Sequence, residues 1–138
     1  AGIQRLGVDI DFVPIEADIM PSAVAQGALA VQIAVPKTKR TRAVKRLVGR
    51  LACPKAFIEV TAERALLSFL DGSCQTPISA SATLDANGNL TLDGMILRPD
   101  GSESYRRQMC APSDEASNLG FALGAELLRL AGGRNFLF

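Results

Sequence analysis

The chain has 138 residues and a formal net charge of +1, and 48% of its residues are hydrophobic although only 5% are aromatic. Such a chain can fill one core of ordinary domain size, built mainly from Leu, Ala, Val and Ile. The balanced charge gives no overall reason to expect a nucleic acid or an anionic membrane as partner. Because His is absent, the usual general base at neutral pH and the commonest zinc ligand are excluded, and we expect no metal site.

The three cysteines, Cys53, Cys74 and Cys110, lie far apart and form no C-x-x-C pair. This spacing predicts neither a disulfide framework nor a zinc ribbon, so a reducing, cytoplasmic location is expected. No run of about 18 apolar residues predicts a membrane span. The chain starts without Met, in a segment whose residues are typical of a helix, and it lacks the features of a signal peptide. We therefore expect it to be part of a longer protein.

The first 35 residues predict pieces of structure rather than a complete unit. Residues 1–6 are typical of the end of a helix, and residues 8–15 alternate as a short strand would. Residues 19–32 indicate a loop entering a buried strand, for which the apolar run ALAVQIAV at 28–35 is the candidate. We therefore interpret residues 1–35 as a remnant of a neighbouring α/β domain. A strand removed from its sheet exposes unpaired backbone, so this remnant is expected to be poorly ordered or to mediate self-association.

Residues 37–50 contain seven basic residues and no acidic one. Apolar residues recur at helical spacing, which predicts an amphipathic helix with a basic outer face: Val44, Leu47, Val48 and Leu51. A solvated face is the simpler interpretation, because the aromatic residues that commonly accompany nucleic-acid binding are missing. The alternative function for the chain is a non-enzymatic binding module that uses this helix to contact an anionic partner.

A second helix is predicted to begin with Pro54 at its first position and to end at Asp71-Gly72, with the glycine in the left-handed conformation. Cys74 then falls on a turn, and Pro77 favours an extended exit from it. A thiol in this position is expected to be reachable by solvent. Cys53 and Cys110 are interpreted as structural residues.

From residue 78 onward the apolar pattern has a period of two, which predicts strands at about 78–85, 90–98 and 103–110. Asn87-Gly88 is a strong hairpin signal between the first two strands. A last helix is expected to be capped by Ser113 or Asp114 and to bury a leucine stripe at 119, 123, 127 and 130. Residues 36–138 therefore predict one α+β domain, a three-stranded antiparallel sheet with helices packed on one face.

The segment 63–78, ERALLSFLDGSCQTPI, resembles the cofactor-attachment segment of porphobilinogen deaminase, also called hydroxymethylbilane synthase. A second similarity is Ala25-Gln26-Gly27-Ala28, where the family has glycine in the first position. An alanine there is strained if its φ is positive. The resemblance implies that Cys74 carries the dipyrromethane cofactor through a thioether, and that Arg5 and Gln26 match an arginine and a glutamine of the family's substrate site.

The resemblance also implies a transferase that condenses four porphobilinogen molecules into hydroxymethylbilane on the dipyrromethane primer. In this comparison residues 1–35 correspond to the end of the second domain and residues 36–138 to the C-terminal cofactor-attachment domain. The family's catalytic aspartate has no counterpart here, so this chain alone is expected to be inactive and without cofactor. The parent enzyme is expected to be a monomer with porphobilinogen as substrate. A redox thiol protein is disfavoured because no resolving cysteine lies near Cys74.

Overall fold

The structure, a computed structural model, describes residues 2–73 and 75–137. The helices are α1 (Gly2–Leu6), α2 (Lys39–Gly49), α3 (Pro54–Phe69) and α4 (Ala116–Leu130). The strands are β1 (Ile78–Leu84), β2 (Asn89–Leu97) and β3 (Ser104–Pro112), and 3-10 turns occupy Ser113–Glu115 and Arg134–Leu137. Within these ranges no helix combines the length and the apolar character needed to cross a bilayer.

The three strands form one antiparallel sheet in the order β1-β2-β3. Its helix-facing side chains are buried against α3 and α4, and they include Ala80, Leu92 and Ile96. In the central strand, Gly94 permits this contact, because a Cβ there would lie 2.8 Å from Leu66 Cδ1. The predicted fold class is confirmed, and the three predicted strands match the observed ones to within two residues.

Helices α3 and α4 pack closely because α4 presents glycines to α3. A Cβ on Gly124 would lie 2.8 Å from Phe69 Cδ1, and a Cβ on Gly120 would collide with the backbone of Ala62. The predicted leucine stripe is buried at Leu119, Leu123 and Leu127, although position 130 is partly exposed. The close approach of the two helices therefore completes the core above the sheet.

The predicted caps of the last helix are wrong. Ser113 lies in the 3-10 turn that precedes α4, and its backbone N–H donates to the Gly88 carbonyl at 3.0 Å. The N-cap position belongs to Glu115, whose side chain makes no capping hydrogen bond. The extra turn arises because the chain leaving β3 is first tied to the β1–β2 hairpin. By contrast, Pro54 occupies the start of α3 as predicted.

Helix α2 forms where the basic segment predicts it, with a capping box between Thr38 and Thr41. The expectation that this helix packs on the sheet is wrong. No residue of α2 is buried, and Leu47 in the helix and Leu51 just after it are 62% and 73% exposed. The helix-facing side of the sheet is already covered by α3 and α4. Both the basic and the apolar side of α2 are therefore accessible in this chain.

The strands expected within residues 8–15 and 28–35 are absent from this fully described part of the chain. Regular strands require a hydrogen-bonded neighbour, and here the backbone forms one isolated antiparallel bridge, between Ala23 and Ser79. Leu29 is 94% exposed, which contradicts a buried strand. The N-terminal region nevertheless contacts the domain between these two ranges, since the N–H of Ala80 donates to the Ser22 carbonyl at 3.3 Å.

Candidate functional site

The end of α3 has the hydrogen bonds of a Schellman motif. The N–H of Gly72 donates to the Leu67 carbonyl at 3.0 Å, and the N–H of Asp71 donates to the Ser68 carbonyl at 3.2 Å. The left-handed residue is Asp71, with φ of 52°, so the prediction that the glycine takes this conformation is wrong. At Gly72 a Cβ would lie 2.6 Å from Ile78 Cδ1, so a larger residue there would require the Ile78 side chain to move.

The chain beyond Gly72 forms a tight polar turn before it enters β1. The N–H of Ser73 donates to Thr76 Oγ1 at 3.0 Å, and the N–H of Gln75 donates to Ser73 Oγ at 3.2 Å. Both Ser73 and Gln75 are exposed. Cys74, the predicted attachment residue, lies outside the described residues, and its assignment stays a prediction. A cavity of about 280 Å³ opens beside the turn, and Thr76 and Pro77 contribute to its wall.

An arginine from the other end of the domain joins this turn to the C-terminal segment. Arg134 Nη1 donates to Asp71 Oδ2 at 2.6 Å, and Arg134 Nη2 donates to the Phe69 carbonyl at 2.8 Å. The guanidinium also lies 5.7 Å from the centre of the Phe69 ring. Sequence reasoning missed Arg134, because the contact joins residues 63 positions apart.

The loop around Gln26 contains the strain that the alanine substitution predicts. Ala25 has φ of 56° and Gly27 has φ of 82°. Two tight turns result, with the N–H of Gln26 bonded to the Ala23 carbonyl and that of Ala28 bonded to the Ala25 carbonyl, both at 3.1 Å. The loop is held in place by the N–H of Ala25, which donates to Glu63 Oε2 at 2.7 Å. Gln26 itself is exposed.

Glu63 is 9% exposed, and its second carboxylate oxygen accepts a hydrogen bond of 2.8 Å from the N–H of Ala82. One turn earlier on α3, Glu59 Oε1 accepts a hydrogen bond of 2.9 Å from the N–H of Leu84. These glutamates therefore satisfy outward-facing N–H groups of the edge strand β1. Helical spacing alone would put both on a charged face of α3 together with Lys55.

The sheet face opposite the helices carries a second anchor for the N-terminal segment. Arg106 donates to both carboxylate oxygens of Asp93, at 3.0 Å and 2.6 Å, and its Nη1 donates to the Asp18 carbonyl at 2.6 Å. Hydrogen bonding to Asp93 raises the pKa of Arg106, so the guanidinium remains protonated at physiological pH. Residues 17–25 are thus fastened to the domain at both ends of this stretch.

The remaining predicted site residues are less constrained. Arg5 is exposed in the last turn of α1, and neither its guanidinium nor the Gln26 amide has a hydrogen-bond partner among the described residues. Hydrogen bonding therefore does not join Arg5 to the Gln26 loop. Cys53 and Cys110 are both exposed thiols, which contradicts a core role for either residue.

Comparisons with known proteins indicate a single family, and the similarity extends over most of the chain. Residues 57–129 match the family model described as "Porphobilinogen deaminase, C-terminal domain". A porphobilinogen deaminase from Neisseria meningitidis serogroup A is 41% identical over 131 residues, which cover 92% of this chain and 40% of the relative. The porphobilinogen deaminase of Paracoccus denitrificans is 38% identical, over 92% of this chain and 39% of the relative.

A third relative, the probable porphobilinogen deaminase of Hyperthermus butylicus, is 34% identical over 95% of this chain and 42% of the relative. The chain thus spans about 40% of the length of the curated relatives it matches. The family match covers most of α3, the three strands and almost all of α4, which build most of the core. The chain belongs to the porphobilinogen deaminase family, and its folded core corresponds to that family's C-terminal domain.

Proposed function

We propose that this chain is the cofactor-attachment part of a porphobilinogen deaminase, with Cys74 as the residue that carries dipyrromethane through a thioether. The parent enzyme would be a cytoplasmic transferase that builds hydroxymethylbilane from four porphobilinogen molecules. When bound, the dipyrromethane supplies the primer on which the chain of pyrroles is extended. The observation that supports the proposal is the family match over residues 57–129, which includes Cys74 and the described turn residues before it at the end of α3.

The surroundings of Cys74 fit a covalently attached group. Its described neighbours Ser73 and Gln75 are exposed, and the adjacent cavity of about 280 Å³ leaves open space next to the turn. The two hydrogen bonds of the Schellman motif hold the backbone of Asp71 and Gly72, which precede the cysteine in the sequence. A rigid turn holds an attached group in one place at low entropic cost.

Arg5 and Gln26 are proposed to bind the carboxylates of the cofactor or substrate. A guanidinium can pair with a carboxylate through two parallel hydrogen bonds, and the exposed Gln26 amide can add a further donor. The loop that carries Gln26 is held by the buried carboxylate of Glu63, which limits the positions the amide can reach.

The proposal is tested by intact mass measurements on the full-length enzyme. Replacing Cys74 by Ser should remove the covalent dipyrromethane, whereas Cys53→Ser and Cys110→Ser, which change exposed thiols elsewhere, should retain it. Circular dichroism should show the same unfolding temperature for all three variants. A dipyrromethane adduct that persists in Cys74→Ser would disprove the assignment.

A binding module built on α2 is the second candidate, and it is favoured by the finding that no residue of that helix is buried. It predicts binding of the 138-residue chain to heparin or nucleic acid that weakens steeply as salt is raised. Replacing Arg42 and Arg46 by Gln should then abolish the binding. Equal retention of the parent and the double variant on heparin would exclude this function.

A further inference from the structure

We propose that the groove between residues 25–30 and helix α3 binds a small carboxylic acid with an apolar body, and that Arg64 pairs with the carboxylate. The groove is a cavity of about 1000 Å³. It shares no lining residue with the smaller cavity beside the attachment turn. The proposal therefore concerns a second site and does not depend on the role of Cys74.

The lining of the groove is mainly apolar. Leu29, Leu51 and Phe57 contribute to it and are 94%, 73% and 75% exposed, whereas Ile58 is partly buried and packs against the core. Exposed apolar side chains around one concave surface mark an interaction site, because covering them with an apolar ligand removes them from water. The volume of the groove corresponds to the upper end of the range for small-molecule sites.

Backbone hydrogen bonds hold both walls of the groove. On one side, the N–H of Ala25 donates to the buried Glu63 carboxylate at 2.7 Å. On the other side, the N–H of Leu51 donates to the Val48 carbonyl at 2.9 Å, and the N–H of Phe57 donates to the carbonyl of Cys53 at 3.0 Å. The groove is thus formed before a ligand enters, which lowers the entropic cost of binding.

Arg64 supplies the charge of the site. Among the described residues that line the groove, it is the only charged one. Arg64 is exposed, and its guanidinium forms no hydrogen bond or ion pair with another described residue. The neighbouring ions of α3, Lys55 and Glu59, lie outside the lining and pair with each other at 3.8 Å. The guanidinium can therefore bind an incoming carboxylate through two parallel hydrogen bonds.

The spacing along α3 indicates the shape of the ligand. Phe57, Thr61 and Arg64 recur at i, i+4 and i+7, so they share one face of the helix, and Cys53 lies one turn earlier at the N-cap. From residue 53 to residue 64 the helix axis rises about 16 Å. A carboxylate at Arg64 leaves room for an apolar body that extends along α3 towards Phe57. This favours a medium-chain or aromatic carboxylic acid over acetate, which would contact the guanidinium alone.

The test uses Cys53 as a reporter, because it is an exposed thiol in the lining of the groove. In the 138-residue chain carrying Cys74→Ser and Cys110→Ser, the rate of alkylation by iodoacetamide is measured at pH 7.5 as octanoate is added. A companion protein carrying Cys53→Ser and Cys74→Ser reports on Cys110, which lies on β3 and outside the groove. Octanol, with the same chain length and no charge, is the matched ligand.

We expect octanoate to slow alkylation of Cys53 in a saturable manner and to leave Cys110 unaffected. Arg64→Gln should raise the octanoate concentration for half-protection roughly 3- to 10-fold, because a charge-assisted pair is lost, and should leave the octanol value unchanged. Arg64→Lys should retain most of the protection, since it keeps the charge. Phe57→Ala should weaken protection by both ligands, and Arg129→Gln, which changes an exposed arginine on α4, should weaken neither.

Three results would overturn the inference. These are equal slowing of Cys53 and Cys110 by octanoate, an Arg64→Gln effect of the same size on octanol, and alkylation of ligand-free Cys53 that slows as the protein concentration is raised. The last result would show that a second copy of the chain covers the groove. Thermal unfolding verifies that each variant is folded. None of these results bears on dipyrromethane attachment, because Cys74 is replaced by Ser throughout.

Discussion

Glu63, in the middle of α3, accepts a hydrogen bond of 2.7 Å from the backbone N–H of Ala25, a residue 38 positions earlier in the chain. The same carboxylate accepts the N–H of Ala82 in the edge strand β1. One buried side chain therefore joins the N-terminal loop, the helix and the sheet. Because the carboxylate is acceptor-only, it satisfies both N–H groups, whereas an amide can accept at one end only.

Replacing Glu63 by Gln should consequently destabilise the chain by about 1–3 kcal/mol, since one buried N–H loses its acceptor and faces an amide donor. Urea denaturation gives the loss, and hydrogen exchange should accelerate at Ala25 or Ala82. Glu59→Gln is the control, because Glu59 accepts a single N–H and its side chain is 19% exposed. Equal stability of the two variants would show that the double acceptor role has no energetic consequence.

The turn between β1 and β2 should add an acid-sensitive contribution to stability. Asn89 donates through its side chain to Asp85 Oδ2 at 3.0 Å and through its N–H to Oδ1 at 2.8 Å, and these bonds lower the pKa of Asp85 from 3.8. A carboxyl with a lowered pKa stabilises the fold above its unfolded value and loses that effect as the pH falls through the folded value.

Asn89→Ala removes the side-chain hydrogen bond, so it should destabilise the chain at pH 6 and do so less below pH 3.8. Urea titrations of both proteins at pH 6 and pH 3 measure the difference. Asn87→Ala serves as the control, because Asn87 bonds to Asp85 through its backbone N–H, which the substitution keeps. A difference that grows towards low pH would contradict the assigned role of Asp85.

Ser79 is 7% exposed, and its hydroxyl has no hydrogen-bond partner among the described residues. A buried hydroxyl without a partner has lost its hydrogen bonds to water and has formed no hydrogen bond in their place. We therefore expect Ser79→Ala to leave the unfolding free energy unchanged within about 0.5 kcal/mol or to raise it. Ser81→Ala, in the same strand and on the same face, provides the comparison. A loss above about 1 kcal/mol in Ser79→Ala would indicate a bound water or another partner for the hydroxyl.

The purified 138-residue chain should show no hydroxymethylbilane synthase activity. The expectation rests on the resemblance, which implies that the family's catalytic aspartate lies outside this chain, and neither Arg5 nor Gln26 can replace a carboxylate in proton transfer. The assay follows porphobilinogen consumption by protein prepared from a host lacking its own enzyme. Turnover above that of a mock preparation would contradict this prediction.

The sequence by itself determined the elements whose signals are local. Period-two alternation and Asn87-Gly88 located the strands and their hairpin, Pro54 located the start of α3, and the leucine stripe located the buried side of α4. Each of these signals depends on residues that are close together in the sequence, so the sequence alone contains the whole signal. The motif around Cys74 indicates the family for the same reason, because it consists of consecutive residues.

Tertiary structure decided what depends on distant partners. The apolar segments at 8–15 and 28–35 have the pattern of strands but form none, because a strand also requires a hydrogen-bonded neighbour. Among the described residues, the isolated bridge between this N-terminal region and β1 lies outside both segments, at Ala23. Glu63 had the pattern of a surface charge, yet it is buried because the edge of β1 offers N–H groups that need an acceptor. Arg134 reaches Asp71 across 63 residues through the packing of Phe136, a relationship that no local pattern encodes.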